Sequence, residues 1–344
     1  MSGLSTNLEA SRAPPTLTIM LGTLLLLALS GVAFGSSWIP LDQVLAVIVG
    51  AGEKTQNIIV LQLRLPRVVI AVLAGGGMAV AGFLLQKITR NTLASPGVLG
   101  VIDGAALGVV IFLALLSDES NSLVTSIAYQ PVAATLGALA AITLVFTLAG
   151  SQAASAIRLL LFGIAVAAVA KAVTMVMMLI GPIYRTSQAA RWIAGAVNEI
   201  NWGEIQLTAI VMLPLLALSL IAASRLAPAE LDEVSARGVG LNLPVFRVLI
   251  FALAATLTAV SVAFVGGVGF IGLMAPHLAR LVVGRNMQAG LVGSFLLGAI
   301  MLVGADLIVR VLFSPIEVPA GTVTAVIGAP YFLFLLMGRQ RHDG

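Results

Sequence analysis

The chain contains no cysteine and little charge: Asp, Glu, Lys and Arg together make up 9% of its 344 residues. Without thiols there are no disulfides, no thiolate metal sites and no cysteine nucleophile. A soluble domain normally carries about 25% charged residues, so a water-facing surface cannot be built from this chain, which excludes a soluble enzyme and a secreted domain. There are only two histidines, His277 and His342, and no catalytic triad, carboxylate pair or metal cluster stands out. No G-x-x-x-x-G-K-[ST] phosphate loop occurs, so the chain cannot hydrolyse ATP by itself. The sequence pI is about 10.0, but the net charge is only +4 and the bases are scattered. That excludes a nucleic-acid binder.

What the chain has is apolar length: 60% of its residues are hydrophobic and its mean hydropathy is +1.11. A bilayer span needs about 20 apolar residues. Reading for long apolar runs between charged or Gly/Pro-rich breaks predicts ten spans, at 17–35, 66–86, 96–116, 128–149, 158–181, 205–223, 246–265, 268–284, 290–309 and 320–338. The eighth is the shortest. The first follows Arg12 as a signal peptide would, but its length and the nine spans behind it predict a retained helix. The sequence reads as an all-α polytopic membrane protein, one transmembrane domain over 1–344.

Ten spans put both termini on one side. With termini inside, the inner segments hold Arg12, Lys87, Arg90, Arg158, Arg225, Arg237, Arg247, Arg280, Arg285, Arg339 and Arg341. The outer ones hold Lys54, Arg64, Arg67, Arg185, Arg191 and Arg310, with Asp42, Glu53, Asp118, Glu119 and Glu317. The bias satisfies the positive-inside rule and predicts cytoplasmic termini. The longest inner stretch, 225–247, carries start and stop signals for a short helix: Pro228, then acidic residues, then Gly238 and Gly240. It reads either as a solvated linker or as a surface that docks a cytoplasmic partner.

Some charges break the pattern. Arg64, Arg67 and Arg310 lie at the outer ends of spans two and nine, either snorkelling to lipid head groups or forming a cationic rim for carboxylates. Ionisable residues within spans default to functional candidates: Lys171 in span five, Asp306 late in span nine, Asp103 early in span three. Lys171 could pair with Asp306 or Asp103, or line a route for an anionic solute. Asp306 lies four residues before Arg310, the spacing of an i,i+4 pair. His277 reads as a hydrogen-bonded helix-start residue, and Met175, Met177 and Met178 as packing filler. Gly75, Gly76 and Gly77, and Gly266 and Gly267, lie inside apolar runs, where they let helices approach closely.

Several motifs occur in register. Arg64-Leu-Pro-Arg67 precedes Gly75-Gly-Gly-Met-Ala-Val-Ala-Gly82-Phe-Leu-Leu-Gln86 and Arg90-Asn-Thr-Leu-Ala-Ser-Pro96-Gly-Val-Leu-Gly100. Then come Arg158-Leu-Leu-Leu-Phe-Gly163, Gly269-Phe-Ile-Gly-Leu-Met-Ala-Pro-His277-Leu-Ala-Arg280, Gly304-Ala-Asp-Leu-Ile-Val-Arg310, Glu317-Val-Pro-Ala-Gly321 and Ile327-Gly-Ala-Pro330. In this order they resemble the permeases of type II ABC importers for ferric siderophores, haem and cobalamin, the FecCD family.

The resemblance implies ten transmembrane helices with cytoplasmic termini, in the bacterial cytoplasmic membrane. It implies a second permease chain, the same or homologous, around one central pathway. Two ATPase subunits would bind ATP and Mg, leaving no cofactor in this chain. They would dock through coupling segments that map here onto Leu231, Asp232, Glu233, Ser235, Ala236, Arg237, Gly238 and Gly240. A periplasmic or lipid-anchored binding protein would deliver the substrate, its lobe glutamates received by Arg64, Arg67 and Arg310. Reversing Arg64 and Arg67 to Glu is then expected to impair docking and leave the fold intact. In the cobalamin permease small hydroxyl residues form the cytoplasmic gate; here Ala156 and Ile157 stand before Arg158, so that gate does not carry over. The expected cargo is an iron(III)–siderophore complex, with haem or cobalamin as the alternative. A proton-coupled transporter relaying through Asp103, Lys171 and Asp306 is a rival of another class, and a membrane receptor without transport is a second.

Overall fold

The computed structural model describes residues 2–35, 37–117, 123–150, 155–181, 183–197, 200–284, 286–314, 316 and 318–340. Asp118, Glu119, Arg285, Glu317, Arg341 and His342 lie outside the described residues, as do the side chains of Arg12, Arg185 and Arg339. Helix α1 (Ser2–Ala33) leads to two short helices, α2 (Leu41–Ile48) and α3 (Lys54–Asn57). A π-helical stretch (Ile58–Arg64) then joins α4 (Leu65–Thr89). A 3-10 turn (Pro96–Leu99) opens α5 (Val101–Leu115), followed by α6 (Gln130–Ala149), α7 (Ala156–Ile180), α8 (Ile183–Ile193) and α9 (Trp202–Ala229). The short α10 (Glu233–Gly238) precedes α11 (Leu243–Val265), α12 (Ile271–Val283), α13 (Met287–Leu312) and α14 (Ala320–Gln340).

Among the described residues, seven helical stretches are long and apolar enough to cross a bilayer: Ala13–Ala33, Lys54–Thr89, Ile127–Ala149, Ala156–Ile180, Trp202–Ala229, Leu243–Val265 and Met287–Leu312. Three shorter apolar helices, Val101–Leu115, Ile271–Val283 and Ala320–Phe334, fall on the other apolar runs. The protein is an all-helical polytopic membrane protein. Helix α4 is its axis, with α9, α11, α12 and α13 packed around it. Its apolar window is 83% buried, against 28% for α7. Lipid tails are as apolar as leucine, so close backbone approach rather than water exclusion holds such helices together. Gly75 of α4 and Gly298 of α13 make that approach reciprocally: a Cβ on either would strike the other's carbonyl.

Three boundaries depart from the sequence reading. Span two does not begin at Pro66, because helix runs unbroken from Lys54. Proline cannot donate to the carbonyl four residues back and clashes with it. The π-turn resolves this by stepping the ladder, with Leu65 N–H donating to Val60 O. Gly266 and Gly267 do not sit inside a helix but in a break between α11 and α12, where Gly266 takes a φ of +73°. Non-helical backbone inside a bundle survives only if its polar groups are met by protein. Here Gly267 N–H donates to Trp192 O at 3.2 Å and Thr324 Oγ1 to Gly269 O at 3.1 Å. His277 is not at a helix start either. It lies in the second turn of α12, its ring edge-on to Tyr331 at 6.1 Å.

Candidate functional site

Two clusters of paired charges lie at the two ends of α4. From Arg67 to Lys87 is twenty residues of helix, about 30 Å, which is the thickness of a bilayer's hydrocarbon core. At one end Arg64, Arg67 and Arg310 come together around the C-terminus of α1. A helix C-terminus exposes unpaired carbonyls and a partial negative charge. Arg64 supplies donors for them: Nη1 donates to Val32 O at 2.9 Å and Ala33 O at 2.8 Å. Its Nη2 donates to Ser37 O at 2.5 Å and Ser37 Oγ at 3.1 Å. Arg310 Nη2 donates to Gly31 O at 2.9 Å.

Asp306 ties the other two arginines together. Arg67 donates to its Oδ1 from Nε at 2.9 Å and Nη2 at 2.7 Å. Arg310 Nε lies 3.0 Å from Oδ2, the i,i+4 pair that the spacing suggests. The Asp306 side chain is 2% exposed, Arg67 21% and Arg310 12%, so Arg67 is the more accessible of the two guanidiniums. This arrangement corrects one expectation. Arg64 is buried with its donors spent on the end of α1 and on Ser37, and Arg67 neutralises a buried carboxylate. Reversing both to Glu would therefore also strike the fold. The Arg67–Asp306 partnership spans 239 positions, so no local spacing could reveal it. Asp306, a candidate for the pathway, sits at this end rather than with Lys171.

At the other end of α4 lies the segment around α10, onto which the family resemblance maps a coupling role. Asp232 caps α10, accepting from Val234 N–H at 3.1 Å and Ser235 N–H at 3.0 Å. Hydrogen bonds from Ser235, through hydroxyl and backbone, then from Val234, hold the Asp232 carboxyl below its usual range. The cap is therefore complete at neutral pH and is lost only as pH falls through that lowered value. Arg237 Nη2 pairs with Glu233 Oε1 at 2.8 Å on the exposed face. Gly240, at a φ of +80°, turns the chain so that Leu241 N–H reaches Ala236 O at 2.9 Å. Gly238 closes the helix. Ala236, Leu241 and Leu243 are buried anchors, while Leu231, Val234 and Val239 face outward, Val234 at 81% exposure.

Two basic residues to which the sequence reading gave no partner pin this segment. Lys87 Nζ pairs with Glu230 Oε1 at 3.2 Å. Arg90 Nη2 donates to Ala229 O at 3.2 Å and to Leu231 O. Arg90 holds a left-handed φ of 52° as the C-cap of α4, a conformation costing a non-glycine residue about 1–2 kcal/mol. Its two bonds to the α9 terminus offset that cost. A solvated linker needs no such fixing.

Within the bundle, Lys171 lies on an exposed face of α7 and Asp103 is half-buried on α5. The two interact electrostatically but close no ion pair among the described residues. Ala156 and Ile157 open α7, with Ile157 72% exposed. Met177 and Met178 pack against the core, but Met175 is 71% exposed.

The model of the FecCD transport family matches residues 23–338. The chain is 40% identical over 318 residues to the probable siderophore transport system permease protein YfhA of Bacillus subtilis (strain 168), covering 92% of this chain and 93% of that one. It is 36% identical to the hemin transport system permease protein HmuU of Yersinia pestis, covering 82% and 84%. Among solved structures it resembles a metal-chelate type ABC transporter in an inward-facing conformation, with a TM-score of 0.84 and 27% identity, over 94% of this chain and 99% of that one. By a match covering nearly its whole length, this chain belongs to the FecCD transport family.

Proposed function

We propose that this chain is the membrane-spanning permease subunit of an ABC importer that brings an iron(III)–siderophore complex across the bacterial cytoplasmic membrane. The observation that carries the reading is the family match over 23–338, joined by the similarity to a siderophore permease along 92% of the chain. Ten spans fit the seven long and three short apolar helices among the described residues, and the positive-inside bias supports cytoplasmic termini. In this reading a second permease chain, the same or homologous, completes the pathway, and two ATPase subunits bind ATP and Mg. A periplasmic or lipid-anchored protein delivers the chelate to the end carrying Arg64, Arg67 and Arg310. ATP binding moves the coupling segments and switches which side of the pathway is open. A haem cargo is the second reading, favoured by the similarity to HmuU. Uptake of labelled iron–siderophore complexes, in cells with and without the gene and with and without ATP depletion, tests the first. ATP-dependent uptake of at least one chelate that vanishes with the gene is expected. Unchanged uptake across the panel overturns the siderophore cargo, and loss of haem uptake alone moves the reading to haem.

The coupling surface makes a separate prediction. Glu233 and Arg237 are 49% and 66% exposed, and a pair so exposed contributes only about 0.5 kcal/mol to folding. Glu233→Ala with Arg237→Ala, and Val234→Asp, should leave the permease in the membrane at normal abundance. Each should sharply reduce copurification of the ATPase or separate hydrolysis from transport. Normal copurification with normal coupling would place the ATPase interface elsewhere.

A further inference from the structure

The lysine in the middle of α7 has no place in the machinery described so far. Lys171 is fifteen residues from the first residue of the helix, Ala156, and nine from the last, Ile180. Nine residues of helix are about 14 Å, whereas a lysine stem extends about 6 Å. Lys171 therefore cannot snorkel to either surface. It is exposed rather than packed into the bundle, and it makes no hydrogen bond or ion pair among the described residues. A cationic side chain facing hydrocarbon at that depth costs about 2.5–3.5 kcal/mol or more. The flank of α7 that carries Lys171 must then face water or a polar neighbour.

The helix geometry separates that flank from the rest of α7. Leu159, Gly163, Val166, Ala170 and Thr174 are its buried stripe. One step of about 100° to one side of Ala170 stands Val169, which with Ala165 borders an apolar groove against α5 and α6 of about 350 Å³. One step to the other side stands Lys171. Asp103 on α5 lies close enough to feel the charge of Lys171. Just before Asp103, Gly100, with a φ of +74°, breaks the helical backbone against Gly163 O and Ala167 N of α7. Non-helical backbone at membrane depth is tolerated where it is buried in protein or lines a water-filled cavity. Ala167 lies four residues before Lys171, one turn away on the same face, so the break at Gly100 and the charge without a closed ion pair share this flank of α7.

We infer that the Lys171 flank of α7 lines the aqueous translocation route and selects solutes of net negative charge, so that the cargo is an anionic iron chelate of the carboxylate or catecholate class rather than an uncharged trihydroxamate. The inference rests on the importer reading. Its chemistry is a single mobile ammonium, which attracts anionic oxygens as a point charge without the bidentate geometry of arginine. One such contact is weak enough to release the cargo, as conduction through any route requires.

The test uses the complete transporter with its binding protein in proteoliposomes, presented with ferric citrate, a ferric triscatecholate, ferrichrome as the uncharged trihydroxamate, haem with its two propionates, and uncharged cyanocobalamin. The binding protein has its own preferences, but it is the same in every variant. Dividing the Lys171→Gln rates by the parent rates therefore leaves only the permease's contribution. The parent should carry anionic members, and Lys171→Gln should slow them about tenfold, the effect of about 1.4 kcal/mol. Lys171→Arg should keep most of the rate, and ATPase activity without cargo should be unchanged in both. A parent that carries only the uncharged members overturns the inference and leaves the importer reading standing. So does a Lys171→Gln variant that slows charged and uncharged cargo alike, or neither, as it would if Lys171 only met an acid of a second chain. Charge-sensitive uptake of haem alone overturns the carboxylate-or-catecholate cargo and the siderophore reading while leaving the importer standing, and uptake of nothing in the panel sinks both.

Discussion

Asp306→Ala is expected to cost about 3–5 kcal/mol of stability, the penalty for removing one member of a buried ion network. The carboxylate is 2% exposed and meets Arg67 at 2.7 Å and Arg310 at 3.0 Å. Without it two guanidiniums lie close together with no counter-charge between them. Arg310 also holds the last turn of α1 through Gly31 O, so the repulsion should loosen α1 from α4 and α13. The loss is read as a lowered melting midpoint of the purified protein in detergent and as reduced abundance in the membrane. A second variant separates the ion network from a simple cavity: Asp306→Ala combined with Arg67→Met should lose less than the two single changes added together, because the second change removes the charge that the first left unpaired. Additive losses, or a parent-like midpoint for Asp306→Ala, would mean that the network does not hold these helices. Whether the same arginines also receive a binding protein is then a question for Arg67, the more accessible partner of Asp306. A docking assay there has to be normalised to the amount of folded permease.

Gly75→Val should prevent α4 and α13 from packing. A Cβ at Gly75 would overlap the carbonyl of Gly298 and crowd Cβ of Leu302, at 2.9 Å. Backbone cannot swing aside as the end of a flexible side chain can. Overpacked cores typically lose about 1–3 kcal/mol, and a clash with backbone on the most buried helix belongs above that range. The expected outcome is a protein that is degraded or aggregates rather than one with altered transport. Gly304→Ala on α13 is the internal control, since a Cβ there meets nothing within 4 Å. Alanine is favoured over glycine in a helix by about 1 kcal/mol, so that variant should match or exceed the parent's melting midpoint. Equal behaviour of the two variants would refute the crossing described here.

The sequence alone determined the class of protein and the positions of its apolar helices. Both depend on composition and on contiguous apolar runs, and hydrocarbon forces any such run to satisfy its own backbone hydrogen bonds as helix. It also located the short helix α10, because capping signals such as Asp232 and turn glycines such as Gly240 act within a few residues of themselves. The motif order pointed to the family for the same reason: each motif is short, and order is visible in one dimension.

The tertiary structure decided what the charges do. Arg64 lies 32 residues from its acceptor Val32, Lys87 lies 143 from Glu230, and Arg67 lies 239 from Asp306. No periodicity connects such pairs, so residues read as a free cationic rim or as simple orientation signals proved to be engaged at the helix ends. The structure alone also decided that Gly266 and Gly267 break a helix while Gly75 packs one. A glycine permits either a close approach or a positive φ, and only the neighbouring backbone, Gly298 in one case and Trp192 in the other, determines which is used. Likewise the sequence marked Lys171 as a candidate but left it between an ion pair and a route, and only the structure showed its face of α7 exposed, because burial is a property of the helices around a residue and not of the residue itself.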